Sequence, residues 1–245
     1  MKKIHDLGIV IVAGGSSTRF GSGNKLFADL GGVPVFIHSV RAFAPLTEPG
    51  QTVLVVPSGE TDRFRRALEV FAPECGVRLV PGGAVRTESV KNGLRALSPE
   101  TGIAAIHDAA RPLAPQELLL ELVETAEKFH CGAIAAERIV DSVCRTDSDG
   151  RITENVPRED LRRIQTPQVF PYAEICACYE ELGDTVLTDD SAAFRACGRE
   201  VVVVENPLCN LKLTTRADLD LLRFEYAART DLPKPPQIAS KPLKK

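Results

Sequence analysis

GIVIVAGGSSTRFGSGNKLF, residues 8–27, is the stretch from which the rest of this chain is read. Its first six residues form a continuous, β-branched apolar run, the pattern of a strand covered on both faces. A loop of small residues follows and carries two cations, Arg19 and Lys25. Small residues let backbone N–H groups approach phosphate oxygens. An arginine can clamp two such oxygens at once, and a lysine adds a compact charge. The loop is therefore expected to hold a nucleoside triphosphate. On composition alone, a flexible glycine loop with two solvated cations competes with that reading. Two familiar phosphate loops do not fit. A Walker A loop needs Gly-Lys followed by Ser or Thr, whereas Asn24 precedes Lys25 and Leu26 follows it. A dinucleotide fingerprint needs a third glycine where Leu26 stands, and no acidic residue ends the second strand, VVPSG.

Outward from this stretch, apolar runs and amphipathic segments alternate. Strands are expected at 52–57 and 132–139, a strand running into a loop at each of 77–83 and 103–112, and helices at 33–43, 60–71, 86–97 and 115–130, with Pro34 in a first turn. Thr87 is the expected N-cap of the third helix. This order predicts an α/β, three-layer domain: a mostly parallel sheet with helices on both faces. Ligands of such sheets sit beyond the carboxyl ends of the strands. The loops at 13–26, 81–87 and 107–112 leave strands there and are expected to share one site.

The alternation breaks at 141–157, where Asp149-Gly150 signals a hairpin with few core residues. A protruding β-arm is expected at about 140–160. A partner subunit often covers such an arm, so a homodimer is expected; a solvated surface hairpin is the alternative. Helices are expected at 172–182, 189–198 and 214–229, the last opened by a Thr215/Asp218 capping box, and a buried strand at 199–206. Residues 1–230 read as one domain, and the Pro- and Lys-rich segment 231–245 as a disordered tail.

The bulk numbers agree with a globular protein of 245 residues and net charge −3, which argues against nucleic-acid or membrane binding. The apolar start is too short for a signal peptide and no run approaches a membrane span. The seven cysteines include no C-x-x-C pair, which is read as reduced thiols in a cytoplasmic protein without a zinc site.

AGGSSTRFGSGNK, GGAVRTESV, HDAARP, QTPQVF and NLKLTT occur in the order and approximate spacing of one family. Across about residues 8–228 the chain resembles the 2-C-methyl-D-erythritol 4-phosphate cytidylyltransferases of the non-mevalonate isoprenoid pathway. HDAARP and QTPQ make the match specific; the glycine loop alone points only to the wider nucleotidyltransferases. The resemblance implies transfer of CMP from CTP to a polyol phosphate by a homodimer. It implies that Arg19, Lys25, Arg158 and Lys212 act on the reacting phosphates, Arg158 from the arm. It places the nucleotide on Ala13, Gly14, Gly15, Gly82, Gly83, Ser89 and Ala109, and the acceptor on Ser142, Thr166 and Thr188. It gives Asp108 to Mg²⁺, while His107 reads as a packed histidine. Three departures stand out: Leu26 replaces a common glutamine after the lysine, Ser142 replaces a commoner threonine, and Cys209 directly precedes Asn210 where the family often carries an acidic residue nearby, so the metal is expected to rely on Asp108, phosphates and water. Three other activities stay open: transfer to another polyol phosphate such as ribitol 5-phosphate, a non-catalytic nucleotide-binding protein, and a dehydrogenase. The last is disfavoured because none of Tyr172, Tyr179 and Tyr226 begins a Tyr-x-x-x-Lys pair.

Overall fold

Residues 3–14, 20–21, 23–183, 185 and 187–230 are described by a computed structural model. Gly15, Arg19 and the segment 231–245 lie outside them, so the expectations placed on those positions do too. In chain order the elements are β1 (Leu7–Val12), a small β2–β3 hairpin (Asp29–Leu30, Val33–Pro34), α1 (Val35–Phe43), β4 (Thr52–Val56), α2 (Thr61–Phe71), β5 (Arg78–Pro81) and α3 (Arg86–Arg95). They continue with β6 (Ile103–Asp108), α4 (Gln116–Phe129), β7 (Gly132–Arg138), β8 (Val143–Thr146), β9 (Ile152–Val156) and β10 (Arg162–Pro171). The chain then forms α5 (Tyr172–Leu182), α6 (Asp190–Ala196), β11 (Val201–Glu205) and α7 (Arg216–Arg229).

Seven strands form the central sheet in the order β11-β7-β10-β6-β1-β4-β5. β1 lies parallel to β4 and β6, β4 to β5, and β7 to β11, while β10 runs antiparallel between β6 and β7. Successive side chains of a strand point to opposite faces, and β1 divides its apolar run accordingly. Ile9 and Ile11 pack with Phe36 of α1, Phe64 of α2, Leu119 of α4 and Leu222 of α7. Val10 and Val12 pack with Val90 of α3, Ile175 of α5 and Phe194 of α6. The expected three layers are therefore present. Ile9, Val10 and Ile11 are fully buried, each stabilising the fold by about 1.5–3 kcal/mol relative to exposure.

The structure corrects several local expectations. QTPQVF is part of β10, a strand absent from the sequence reading; Pro167 falls where the β7–β10 register is interrupted, between Ile164 and Gln168. A proline is tolerated at such an irregularity because no ladder hydrogen bond is lost there. β11 was expected to be buried, but it is an edge strand with Val202 and Val203 substantially exposed. Val85, not Thr87, is the N-cap of α3, and Thr87 lies inside the helix. Pro34 stands at the N-cap of α1 rather than within its first turn. The arm is as expected. β8 and β9 pair antiparallel, Gly150 takes a positive φ of 80° in the turn, and both strands are largely exposed. No helix of the described residues is long and apolar enough to cross a membrane.

Candidate active site

The carboxyl ends of β1, β4, β5 and β6 lie side by side, so the loops leaving them meet. The backbone N–H of Ala13 donates to Val55, and that of Ala109 to Val12, which fastens the two loop origins together. Ser89, buried in α3, accepts from the Gly83 N–H at 3.1 Å and donates to the Val85 carbonyl at 3.2 Å. A Cβ on Gly82 would lie 2.8 Å from the Ser89 hydroxyl oxygen, and one on Gly14 3.3 Å away. A side chain at Gly82 would therefore displace Ser89. Gly14, Gly82, Gly83 and Ser89 form one cluster of small residues.

Asp108 ends β6 beside that cluster. Lys212, 104 positions later, places its ammonium 2.5 Å from Asp108 Oδ2, and Arg86 Nε lies 3.4 Å from Oδ1. Burial works against the charge on Asp108, but Arg86 and then Lys212 outweigh it and hold the carboxyl well below its usual range. Its backbone N–H donates to the Thr166 hydroxyl at 3.0 Å. Thr166 Oγ1 also lies 3.2 Å from His107 Nδ1, and His107 Nε2 lies 3.1 Å from the Arg111 carbonyl. A carbonyl only accepts, so Nε2 carries the proton and Nδ1 accepts from Thr166. Burial above all pushes the imidazole down to about 3, so it is neutral.

Arg86 also reaches a residue that the sequence reading missed. Its two terminal nitrogens donate to Asp190 at 3.0 and 2.7 Å, and the Tyr179 hydroxyl donates to the same carboxylate at 2.5 Å. Beside Thr166, Gln165 Oε1 accepts from Asn206 and Asn210, both at 3.0 Å, while its amide nitrogen donates to Glu137 at 2.9 Å. Arg111 donates to the Asn210 carbonyl at 2.6 Å. Arg111, Glu137, Gln165 and Asn210, with Lys212, Thr214 and Arg163, line a groove of about 580 Å³. Arg111 lies within HDAARP, but no local motif marks Asp190 or Asn206, whose partners lie far away in sequence.

Lys25 approaches from the other side. Asn24 accepts from the Leu26 N–H at 3.0 Å and donates to Glu60, which also accepts from Arg63. The Arg63 guanidinium lies over the Phe27 ring, 3.8 Å from its centre. This clasp holds the segment bearing Lys25. Burial opposes the charge on Asp218, but the N–H groups of Thr215 and Thr214 and the nearby Lys25 keep its carboxyl lowered. Lys25 therefore lies near the N-terminus of α7, which directly follows the segment that delivers Lys212.

Thr188 is exposed immediately before Asp189, the N-cap of α6. Ser142 and Arg158 are exposed at the base of the arm, where Arg158 donates to the Val140 carbonyl. Among the described residues no hydrogen bond or ion pair joins Arg158 to the Asp108 cluster. The structure thus brings together Gly82, Gly83, Ser89, Asp108, Thr166 and Lys212, but leaves Ser142 and Arg158 apart from that cluster. Among the described residues no group of three or more His, Cys, Asp or Glu side chains is arranged to hold a metal ion. Asp108 is the acidic group within the cluster of predicted residues. One carboxylate suits Mg²⁺ when substrate phosphates and water supply the other ligands.

Residues 7–226 match the family described as IspD, 2-C-methyl-D-erythritol 4-phosphate cytidylyltransferase. The chain belongs to that family. It is thereby a nucleotidyltransferase. The family's enzyme from Endomicrobium trichonymphae is 36% identical over 213 residues, 86% of this chain and 94% of the relative. The enzyme from Bacillus velezensis is 35% identical, covering 86% of this chain and 91% of the relative. The crystal structure of the 4-diphosphocytidyl-2C-methyl-D-erythritol synthase from Anaerococcus prevotii superposes with a TM-score of 0.77. It is 28% identical, with 91% of this chain and 97% of that one covered.

Proposed function

We propose that this chain transfers CMP from CTP to 2-C-methyl-D-erythritol 4-phosphate, forming 4-diphosphocytidyl-2-C-methyl-D-erythritol and pyrophosphate. The observation that carries the reading is the delivery of Lys212 onto Asp108 beside the Gly82–Ser89 turn. That arrangement sets a cation and a carboxylate next to the small-residue turn formed by Gly82, Gly83 and Ser89.

An oxygen of the acceptor's phosphate attacks the α-phosphorus of CTP. The new P–O bond forms as the bond to the β-phosphate's bridging oxygen breaks, and pyrophosphate leaves with that electron pair. The acceptor phosphate is already an anion, so no side chain need remove a proton; neutral His107 holds Thr166 and Asp108 in place. The work lies in bringing two anions together and spreading the charge that develops on the in-line transition state. Lys25 and Arg19 serve the triphosphate, and Lys212 the acceptor phosphate. Gly82, Gly83 and Ser89 take the cytosine, with Ala13, Gly14, Gly15 and Ala109 lining the nucleotide. Thr166, Thr188 and Ser142 offer hydroxyls to the acceptor. Asp108 would hold Mg²⁺, which when bound draws charge from the phosphate oxygens. The working unit in this reading is a cytoplasmic homodimer joined through the arm, with Arg158 reaching the partner's acceptor.

The test is pyrophosphate release with CTP, ATP, GTP and UTP, each offered 2-C-methyl-D-erythritol 4-phosphate or ribitol 5-phosphate. Turnover confined to CTP and the methylerythritol phosphate is expected. Faster turnover of ribitol 5-phosphate would overturn the acceptor assignment, and CTP binding without turnover of either acceptor would overturn catalysis.

A further inference from the structure

Tyr179, Asp190, Arg86, Asp108 and Lys212 form one continuous chain of alternating contacts. Its far end, on α5 and α6, has no place in the reaction just described. Asp190 is the odd member. Its side chain is 0% exposed, and it is a carboxylate held among α3, α5 and α6. Burying such a charge is costly unless every oxygen is satisfied. Here Arg86 supplies a two-pronged grip at 3.0 and 2.7 Å, and Tyr179 adds a third donor at 2.5 Å.

The same guanidinium faces Asp108 as well, but unequally. Toward Asp108 it offers only Nε, at 3.4 Å. Paired N–H bonds to a carboxylate are stronger than one long bond and fix the plane of the guanidinium. Arg86 is therefore committed to Asp190 and only leans on Asp108. With Lys212 on Oδ2, a full second pairing from Arg86 would occupy both oxygens of Asp108.

We propose that Asp190 is a positioning residue: it draws Arg86 away from Asp108 and so leaves that carboxylate able to bind a divalent cation with the nucleotide. Removing the Asp190 charge frees the guanidinium to pair with Asp108. The cation is then opposed by Arg86 as well as by Lys212. The inference rests on the assignment of Asp108 to the metal under the proposed function.

The experiment titrates Mn²⁺ into the protein with CTP present and no acceptor, reading water-proton relaxation enhancement. Wild type is compared with Asp190→Asn and with the double variant Arg86→Gln/Asp190→Asn. Asp190→Asn is expected to weaken Mn²⁺ binding by about fivefold to tenfold, the usual scale of coupling within one ion-pair network. CTP binding measured with EDTA should be unchanged. The double variant, which lacks the competing cation, should bind Mn²⁺ as wild type does. A folded Asp190→Asn protein with wild-type Mn²⁺ affinity overturns the inference, as does a double variant as weak as the single one. Should Asp190→Asn fail to fold, Arg86→Lys/Asp190→Asn, which keeps a cation without its Asp190 partner, is expected to bind Mn²⁺ more weakly than Arg86→Gln/Asp190→Asn, and equal affinity of the two overturns the inference. A wild-type protein that shows no Mn²⁺ enhancement overturns the metal assignment and this inference together. Wild-type binding with indifferent variants overturns this inference alone.

Discussion

Neutral His107 joins three parts of the site with two hydrogen bonds. It holds the Thr166 hydroxyl, which in turn receives the Asp108 N–H, and it fixes the Arg111 carbonyl. Its burial makes a prediction about stability. The folded pKa, about 3, lies below the 6.5 of an ordinary histidine. Between those values the unfolded chain binds a proton that the folded chain refuses. The contribution is therefore complete above pH 6.5, and it is lost as pH falls toward 3, by up to about 1.4 kcal/mol per pH unit. Urea unfolding of wild type should show falling stability from pH 6.5 to 4.5. His107→Gln should show a shallower fall, and an equal slope in both proteins would refute the assignment. At this scale the sequence is uneven. HDAARP and NLKLTT expose Asp108 and Lys212, because the chemistry demands a carboxylate and a cation in those motifs. Asp190 is silent in the sequence, because its role depends on Arg86, 104 positions away.

Elements were easier to read than their burial. The β-branched run of β1 and the amphipathic patterns of α2 and α4 reflect local rules, and those segments form where expected. β10 escaped because Pro167 argues against an interior strand, and only the interrupted pairing with β7 makes room for it. β11 misled in the other direction. Four consecutive valines imply burial on both faces, yet sheet order puts them at an edge, and order is a non-local property. The start of α7 was legible in full, since a capping box is written in four residues. Thr215 accepts from the Asp218 N–H at 3.4 Å, and Asp218 accepts from the Thr214 and Thr215 N–H groups at 2.8 and 2.6 Å. Thr215→Ala should cost about 1 kcal/mol of stability. Asp218→Ala removes two shorter, charge-assisted bonds and should cost more. It should also raise the acceptor KM, because Thr214 anchors the backbone of Lys212 at 3.2 Å. Chemical denaturation and steady-state kinetics check both points; a larger loss from Thr215→Ala would contradict the ranking.

At the scale of the whole molecule, the arm and the site make different demands. Val140 is 76% exposed and Ile152 65% exposed, a placement that suits apolar side chains covered by a second copy. Arg158 sits at the base of that arm, away from the Asp108 cluster of its own chain. If the arm crosses to a partner, Arg158 and Lys212 of one working site come from different chains. This yields a mixing prediction. Arg158→Ala and Lys212→Ala homodimers should each lose activity, on the order of 10²–10³ in rate where a phosphate-stabilising cation is removed. Co-refolding the two in equal amounts makes half of the dimers mixed. Each mixed dimer has one site with both residues intact, so about one quarter of wild-type activity should return under two-fold symmetry. If both residues served their own chain's site, no mixed dimer would hold a complete site and activity would stay at the level of the parents. Where light scattering finds the full chain dimeric, replacing residues 143–156 with a short Gly-Ser turn should leave a monomer and abolish the recovery. A truncated protein that stays dimeric, or a mixture that stays inactive, would return Arg158 to its own subunit.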